Sequence, residues 1–244
     1  MIQVIVTVPC YNEFKRLDED EFTAFSRSHP NMGFMFVNDG SVDRTLDKLQ
    51  SLVEADPTRF MLCNLPSNRG KAEAVRAGII ESLEFKPMYV GIWDADLATP
   101  LWEIPRFHEI MEQNPNIKMV LGARVRLMGR TIERPPARHY LGRLSATMIS
   151  LCIGLPVYDT QCGAKMFRVD DRLRDLFSQP FISSWIFDVE IIARFMNQNS
   201  GILPADAIYE LPLDEWIHKG GSKIKAKDYI IALKELFAIR KKYF

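Results

Sequence analysis

The chain is poor in the features that mark small secreted proteins and membrane spans. Its 244 residues hold four cysteines, Cys10, Cys63, Cys152 and Cys162, and no two form a Cys-x-x-Cys pair. That spacing speaks against a disulfide scaffold and against a zinc knuckle, and fits reduced thiols in a cytosolic protein. No run of about 18 apolar residues occurs, so no transmembrane helix is expected. The nearest approach, Met148 to Tyr158, is interrupted by Ser150, Gly154 and Pro156. The opening Met1-Ile2-Gln3-Val4 has no basic region followed by a long apolar core, so no signal peptide is expected. Neither charge sign is in excess. The 31 basic and 31 acidic residues cancel, which argues against bulk electrostatic binding of nucleic acid. No Gly-x-Gly-x-x-Gly follows the first apolar run, which argues against a nicotinamide dinucleotide site. Internal repeats, low-complexity tracts and inter-domain linkers are absent as well, so residues 1–244 are expected to fold as one domain.

What is present is a hydrophobic share of 47%, enough for a sizeable core, and a regular alternation of elements through residue 123. Ile2 to Val8 is a β-branched apolar run that Pro9 is expected to stop. Leu17 to Ser28 reads as a helix and Gly33 to Val37 as a second strand. Ser41 is placed to cap a helix from Val42 to Glu54. Phe60 to Leu65 is a third strand and Ala72 to Leu83 a helix. Met88 to Trp93 is a fourth strand, Ile104 to Gln113 a helix, and Ile117 to Gly122 a fifth strand. Strand–helix alternation of this kind implies an α/β fold with a mostly parallel sheet and helices on both faces. The second half is less regular. Arg124 to Arg138 reads as a mobile Arg/Pro-rich loop and Tyr140 to Ile153 as an apolar helix. A short strand lies within Asp159 to Arg168. A helix at Phe187 to Asn197 and a strand at Ile208 to Leu213 follow. After a loop from Asp214 to Lys223, an amphipathic helix runs from Asp228 to Lys242.

Polar loops follow one strand after another, so their side chains gather along one edge of the sheet, where open α/β sheets bind ligands. Asp39, Asp94 and Asp96 are therefore expected to be neighbours. Trp93-Asp94-Ala95-Asp96 is central. Two carboxylates one residue apart at a strand end can converge on Mg²⁺ or Mn²⁺, hard cations often held by one or two carboxylates plus substrate phosphates. Taken alone the pair is equally at home capping a helix or lining a solvated loop. A nucleotide sugar would find its partners here. Asp39 accepts from a base N–H. Glu13 and Asp94 accept from ribose hydroxyls. Asp96 ligates a cation on the diphosphate, and Arg69, Lys71 and Arg124 offset the remaining charge. A leaving diphosphate gains charge in the transition state, which a cation at that point favours.

Pro9-Cys10-Tyr11-Asn12-Glu13, Asn38-Asp39-Gly40-Ser41, Asn68-Arg69-Gly70-Lys71 and Asp94-Ala95-Asp96 occur in the order and spacing of family-2 glycosyltransferases, and the chain resembles them. Gly122-Ala123-Arg124, Asp159-Thr160-Gln161-Cys162-Gly163-Ala164-Lys165, Trp185-Ile186-Phe187-Asp188-Val189-Glu190 and Gly221-Ser222-Lys223 look like the dolichyl-phosphate β-glucosyltransferase branch, close to the dolichyl-phosphate mannose synthases. The resemblance implies a GT-A fold and an inverting, Mg²⁺- or Mn²⁺-dependent hexosyltransferase. Its donor is a nucleotide sugar, with UDP-glucose first, and its acceptor a polyprenyl or dolichyl phosphate. Residues 1–123 would bind the donor and 124–244 the acceptor.

Carried over residue by residue, Pro9, Tyr11, Glu13 and Asp39 hold the nucleoside. Asp94 and Asp96 flank the metal-bound diphosphate beside Lys71. Arg124 and Arg138 handle phosphate, with Arg134 and Arg143 as competitors for the second role, and Lys223 touches donor phosphate. A lipid phosphate acceptor needs no base. A saccharide or soluble hydroxyl acceptor does, and Asp188 is then the candidate unless it is only an ion-paired residue beside Glu190. His218 is a candidate further metal ligand. Gly163 is read as permitting a turn, and Trp185, Phe187 and Phe181 as core. The branch's anchored members carry a transmembrane segment. Its absence here implies either peripheral contact with the inner face of a membrane, through the helix around Leu141 to Leu155 and the basic C-terminal helix, or a non-lipid acceptor. The Gln-x-x-Arg-Trp motif of processive synthases is missing. A nucleotide-sugar-binding protein without turnover is the alternative from another functional class.

Overall fold

The computed structural model describes residues 2–133, 136–198, 201, 203–219 and 226–244. Strands β1 (Val4–Cys10), β2 (Met32–Asp39), β3 (Phe60–Leu65), β4 (Tyr89–Ile92) and β5 (Met119–Ala123) alternate with helices α1 (Glu19–Ser28), α2 (Thr45–Ala55), α3 (Lys71–Leu83) and α4 (Ile104–Gln113). There follow β6 (Thr131–Glu133), α5 (Pro136–Ile153), β7 (Lys165–Arg168), α6 (Leu173–Ser178), α7 (Phe187–Gln198), α8 (Pro204–Ala207), β8 (Ile208–Pro212), β9 (Glu215–Ile217) and α9 (Ala226–Tyr243).

The main sheet has the order β3-β2-β1-β4-β7-β5-β8. Strands β1 to β4 pair in parallel, as do β5 and β8, while β7 runs antiparallel between β4 and β5. Side chains alternate between faces. Val4, Val6 and Val8 of β1 join Phe34 and Phe36 of β2 in a core under α1 and α4, with Phe22, Phe107 and Trp93. Ile5, Met35 and Val37 point to the other face, against Ala74 of α3. Both faces are covered, which is why these strands read as unbroken apolar runs. Gly78 lets α3 lie close on the sheet: a Cβ there would sit 2.5 Å from both the Thr7 and Val37 methyls. Toward β7 and β5 the core continues through Val90, Ile92, Phe167 and Phe187.

Several boundaries differ from expectation. Pro9 lies inside β1, opposite Val37, and does not end it. Ser41 does not cap α2, which starts at Thr45. The Ser41 hydroxyl instead accepts from the Asn12 N–H at 3.1 Å, and Asp43 accepts from the Thr45 N–H at 3.0 Å. The Arg/Pro-rich segment is not wholly loop: it contains β6, and α5 begins at Pro136, a first-turn position that suits proline. The late loop likewise contains β9, which pairs in parallel with β6. The short α6 and α8 carried too little periodicity to be read from sequence.

Candidate active site

Strand order reverses at β1: β2 and β3 lie on one side of it, β4 on the other. The crevice at the carboxyl ends of β1 and β4 is the switch point where doubly wound sheets bind ligands. The Trp93 N–H donates to the Thr7 carbonyl at 2.9 Å, so the Asp94 loop leaves the sheet beside the Tyr11–Glu13 loop.

Asp94 and Asp96 are both part-buried there. Asp94 Oδ1 accepts from Lys71 Nζ at 2.5 Å. Burial works against ionisation of Asp94, but Lys71, with Lys165 and Arg124 behind it, holds its carboxyl below the usual range. Asp96 goes the other way. Burial and the Asp94 charge push its carboxyl up, only partly offset by the Ala98 N–H on Oδ1 at 3.1 Å and by Arg16 and Lys71. Two carboxylates close enough that the Asp94 charge disfavours ionisation of Asp96, with Asp96 Oδ2 bonded to nothing among the described residues, suit a hard divalent cation. Among the described residues no group of three or more His, Cys, Asp or Glu gathers, so substrate or water oxygens would complete such a coordination sphere. His218 stacks on Trp216, ring centroids 6.0 Å apart.

The neighbouring loops close around this pair. Asp39 accepts from the Arg69 and Gly70 N–H groups at 2.7 and 2.9 Å, which ties the end of β2 to the start of α3 and thereby sets Lys71. Asn12 takes a left-handed φ of 56° and accepts from the Val42 N–H at 2.9 Å. Tyr11 is exposed beside it, and Pro9 is half-buried in the strand. Glu13, 9% exposed, has its backbone N–H on the Thr45 hydroxyl, and its carboxylate receives Arg16 bidentately through Nε and Nη2.

Arg124, expected on phosphate, has its Nε and Nη2 on Asp159 at 2.6 and 2.8 Å and its guanidinium over the Trp216 ring at 5.3 Å. Asp159 in turn is fixed by Glu210, which accepts its N–H at 2.9 Å. Asp188, the candidate base, is buried in an ion pair with Lys165, Nζ to Oδ1 2.6 Å, and Lys165 also donates to the Cys162 carbonyl. Glu190 is structural: it accepts from the Ile182 and Ser183 N–H groups and from Arg194. Phe187 is buried, and Phe181 and Trp185 pack against the same core cluster. The side chain of Arg138, on α5, and those of Arg134, Arg143 and Lys223 fall outside the described residues, as do Gly220 and Gly221.

Gly163 is required for a different reason from the one read in the sequence. A Cβ there would lie 1.9 Å from Asp94 Oδ2, so the glycine exists for close approach to the carboxylate and not for a left-handed turn. Sequence reasoning also missed Lys165, Asp159 and Arg16. The first two sit inside a quoted motif that carried no assigned role. Arg16 sits three residues after Glu13, one turn away.

A central sheet with a switch-point crevice, an acidic pair at the end of β4 and one antiparallel strand inserted next to it defines the GT-A class of nucleotide-sugar-dependent transferases. Solved structures of glucosyl-3-phosphoglycerate synthase from Mycobacterium tuberculosis share the fold. The complex with Mn²⁺, uridine diphosphate and phosphoglyceric acid superposes with a TM-score of 0.70 at 16% identity, covering 98% of this chain and 78% of that one. The complex with Mn²⁺ and uridine-diphosphate-glucose gives 0.65 at 17%, covering 98% and 76%. Residues 5–173 match the model of glycosyl transferase family 2, and the chain belongs to that family. Among curated relatives it is similar to a dolichyl-phosphate beta-glucosyltransferase of Trichomonas vaginalis, 31% identical, covering 91% of this chain and 66% of the relative. The enzymes of that name from Dictyostelium discoideum and Homo sapiens are each 30% identical over 99% of this chain, and the chain spans 75% and 76% of their lengths.

Proposed function

We propose that the protein transfers glucose from a nucleotide diphosphate sugar, UDP-glucose first, to a polyprenyl phosphate such as dolichyl phosphate. The observation that carries this reading is the Asp94–Asp96 pair at the β1/β4 switch point, in a chain similar over nearly its whole length to transferases named for that reaction. Residues 1–123 bind the donor and 124–244 the acceptor. Pro9, Tyr11, Glu13 and Asp39 line the nucleoside end. Asp94, Asp96 and Lys71 face the diphosphate, and Arg124, Arg138 and Lys223 handle phosphate.

In the chemical step an acceptor phosphate oxygen attacks the anomeric carbon. The bond from that carbon to the diphosphate breaks, and the diphosphate leaves with the electron pair. A single displacement inverts the centre and turns an α-linked donor into a β-linked product. Mg²⁺ or Mn²⁺ held by Asp94 and Asp96 would supply charge stabilisation for the leaving diphosphate. Lys71 orients Asp94, and Asp159 orients Arg124. No base is needed, and the burial of Asp188 against Lys165 supports this: its carboxylate is committed to an ammonium and not offered to a hydroxyl.

The lipid acceptor fits the surface. Among the described residues no helix is long and apolar enough to cross a membrane. Yet α9 exposes Ile231, Leu233 and Phe237 and ends in Arg240, Lys241 and Lys242, while α5 exposes Leu151. Apolar side chains with basic neighbours suit peripheral contact with the inner, cytoplasmic face of a membrane. Incubation with labelled UDP-glucose, polyprenyl phosphate and Mn²⁺ is expected to give labelled lipid. Asp96→Ala is expected to lower the rate by about 10²–10³, the scale of losing charge stabilisation in the transition state. Binding of UDP without transfer from any nucleotide sugar overturns the reading and favours a non-catalytic binding protein.

A further inference from the structure

The guanidinium group has two edges that can each make a bidentate hydrogen-bonded fork. Arg16 uses one: Nε donates to Glu13 Oε2 at 2.7 Å and Nη2 to Oε1. Its Nη1 has no partner among the described residues. The loop that carries it is folded back on itself, since the Arg16 and Leu17 N–H groups both donate to the Glu13 carbonyl, at 2.9 and 2.8 Å. That turn sets the side chain at the carboxyl end of β1, next to the loop leaving β4. Arg16 feels the charges of Asp96 and Asp94, after that of Glu13. With Glu13 at the nucleoside end and Asp94 and Asp96 at the diphosphate end, Arg16 is anchored on the first and within electrostatic reach of the second.

The other cations near the acidic pair are placed differently. Lys165 is 1% exposed and locked to Asp188. Arg124 has 12% of its side chain exposed and lies between Asp159 and Trp216. Lys71 and Arg16 alone among these reach solvent, with 44% and 42% of their side chains exposed. A nucleoside diphosphate brings negative charge into a pocket whose walls already carry Glu13, Asp94 and Asp96, so a second solvent-facing cation there has an obvious use.

We infer that Arg16 is a donor-binding residue: with one edge anchored on Glu13, it offers the other edge to the diphosphate of the nucleotide sugar. This rests on the donor reading above and adds a residue to it. Anchoring by Glu13 removes much of the rotamer freedom that an arginine otherwise loses on binding phosphate. It also links two parts of the ligand, because a carboxylate drawn toward ribose carries the guanidinium with it.

The test is calorimetric titration of the full chain with UDP and UMP, and with GDP and GMP in parallel, in the presence of Mn²⁺. Wild type, Arg16→Gln, Arg16→Lys and Glu13→Gln are compared, with thermal melts to confirm folding. Arg16→Gln is expected to weaken the diphosphate by about tenfold or more, the scale of one charge-assisted hydrogen-bonded contact. The monophosphate should change by no more than about threefold, one charge-neutral contact's worth. Arg16→Lys should recover part of the loss, because it keeps the charge and loses the fork. Equal weakening of mono- and diphosphate would reduce Arg16 to a clamp for Glu13 and overturn the inference, as would no weakening of either. A wild type that binds neither pair of nucleotides overturns the donor reading, and the inference with it.

Discussion

Asp94 is held from three sides. Lys71 fixes Oδ1, Gly163 presents bare backbone to Oδ2, and the strand pairing of Trp93 fixes the main chain. Gly163→Ala therefore acts on the site without removing a charged group. With its Cβ 1.9 Å from Oδ2, the carboxylate must shift from the position in which Lys71 holds it. Transfer is expected to fall by about tenfold or more, as small displacements of reacting groups do. Stability measured by urea unfolding should fall by about 1–3 kcal/mol, the usual cost of overpacking. Gly201→Ala, where a Cβ meets nothing within 4 Å among the described residues, is the control. A second residue-scale prediction concerns pH. Burial, helped by the nearby Asp159, pushes the Glu210 carboxyl above its ordinary 4.5 in spite of the Tyr158 and Asp159 N–H groups it accepts. The folded state then binds this proton more tightly than the unfolded chain. The stability linked to it is fully present below pH 4.5 and is lost as pH rises through the folded value. Wild type should accordingly gain on Glu210→Gln as pH is lowered from neutrality toward 4.5, and a gap in melting temperature that does not change with pH would refute this.

The elements that frame the site are fastened by side chains at their ends. The β6–β9 ribbon sits over the loop after Asp96, where the Ile217 N–H donates to the Ala98 carbonyl at 2.9 Å. Its tether is Glu103, fully buried at the start of α4, which accepts from the Asp214 and Glu215 N–H groups at 2.6 and 3.2 Å and pairs with Arg106. Glu103→Ala leaves those two N–H groups without an acceptor, and the expected loss is about 2–4 kcal/mol. Hydrogen exchange locates the effect: protection at Ile217 should drop while the β1 amides keep theirs. Equal loss across β1 and β9 would mean that the ribbon is not a separate unit. The same elements show how far periodicity reads. The runs from β1 to β5 and the helices between them were legible to within a few residues, because each buries a continuous apolar face. The ribbon was not, since β6 and β9 are three residues each, flanked by charge, and exist only by pairing with one another across more than 80 positions.

At the scale of the whole molecule, the crevice at the β1/β4 switch point joins loops from β1, β2, β4 and the start of α3, so a ligand there bridges parts of the chain distant in sequence. A nucleotide diphosphate that binds only the folded state raises its melting point. At about a hundred times its Kd the gain is about 2.7 kcal/mol, or roughly 5–10 °C for a chain of this size. UDP with Mn²⁺ is expected to give a shift of that order by differential scanning fluorimetry, and chelation should remove most of it. An undiminished shift in chelator would take the cation out of donor binding. The α/β class, the strand-end position of Asp39, Asp94 and Asp96, and membership of the glycosyltransferase family were all determined by the sequence alone. Strand burial, loop position and motif order are written locally, in apolar runs and in the residues that follow them. Tertiary structure alone decided the antiparallel insertion of β7 and the pairing of Asp188 with Lys165 and of Arg124 with Asp159. It alone put Gly163 against Asp94 and left Arg16 Nη1 without a partner among the described residues. Each of these is a meeting of groups far apart in the chain or a choice between equivalent charged partners, and only packing distances and burial make that choice.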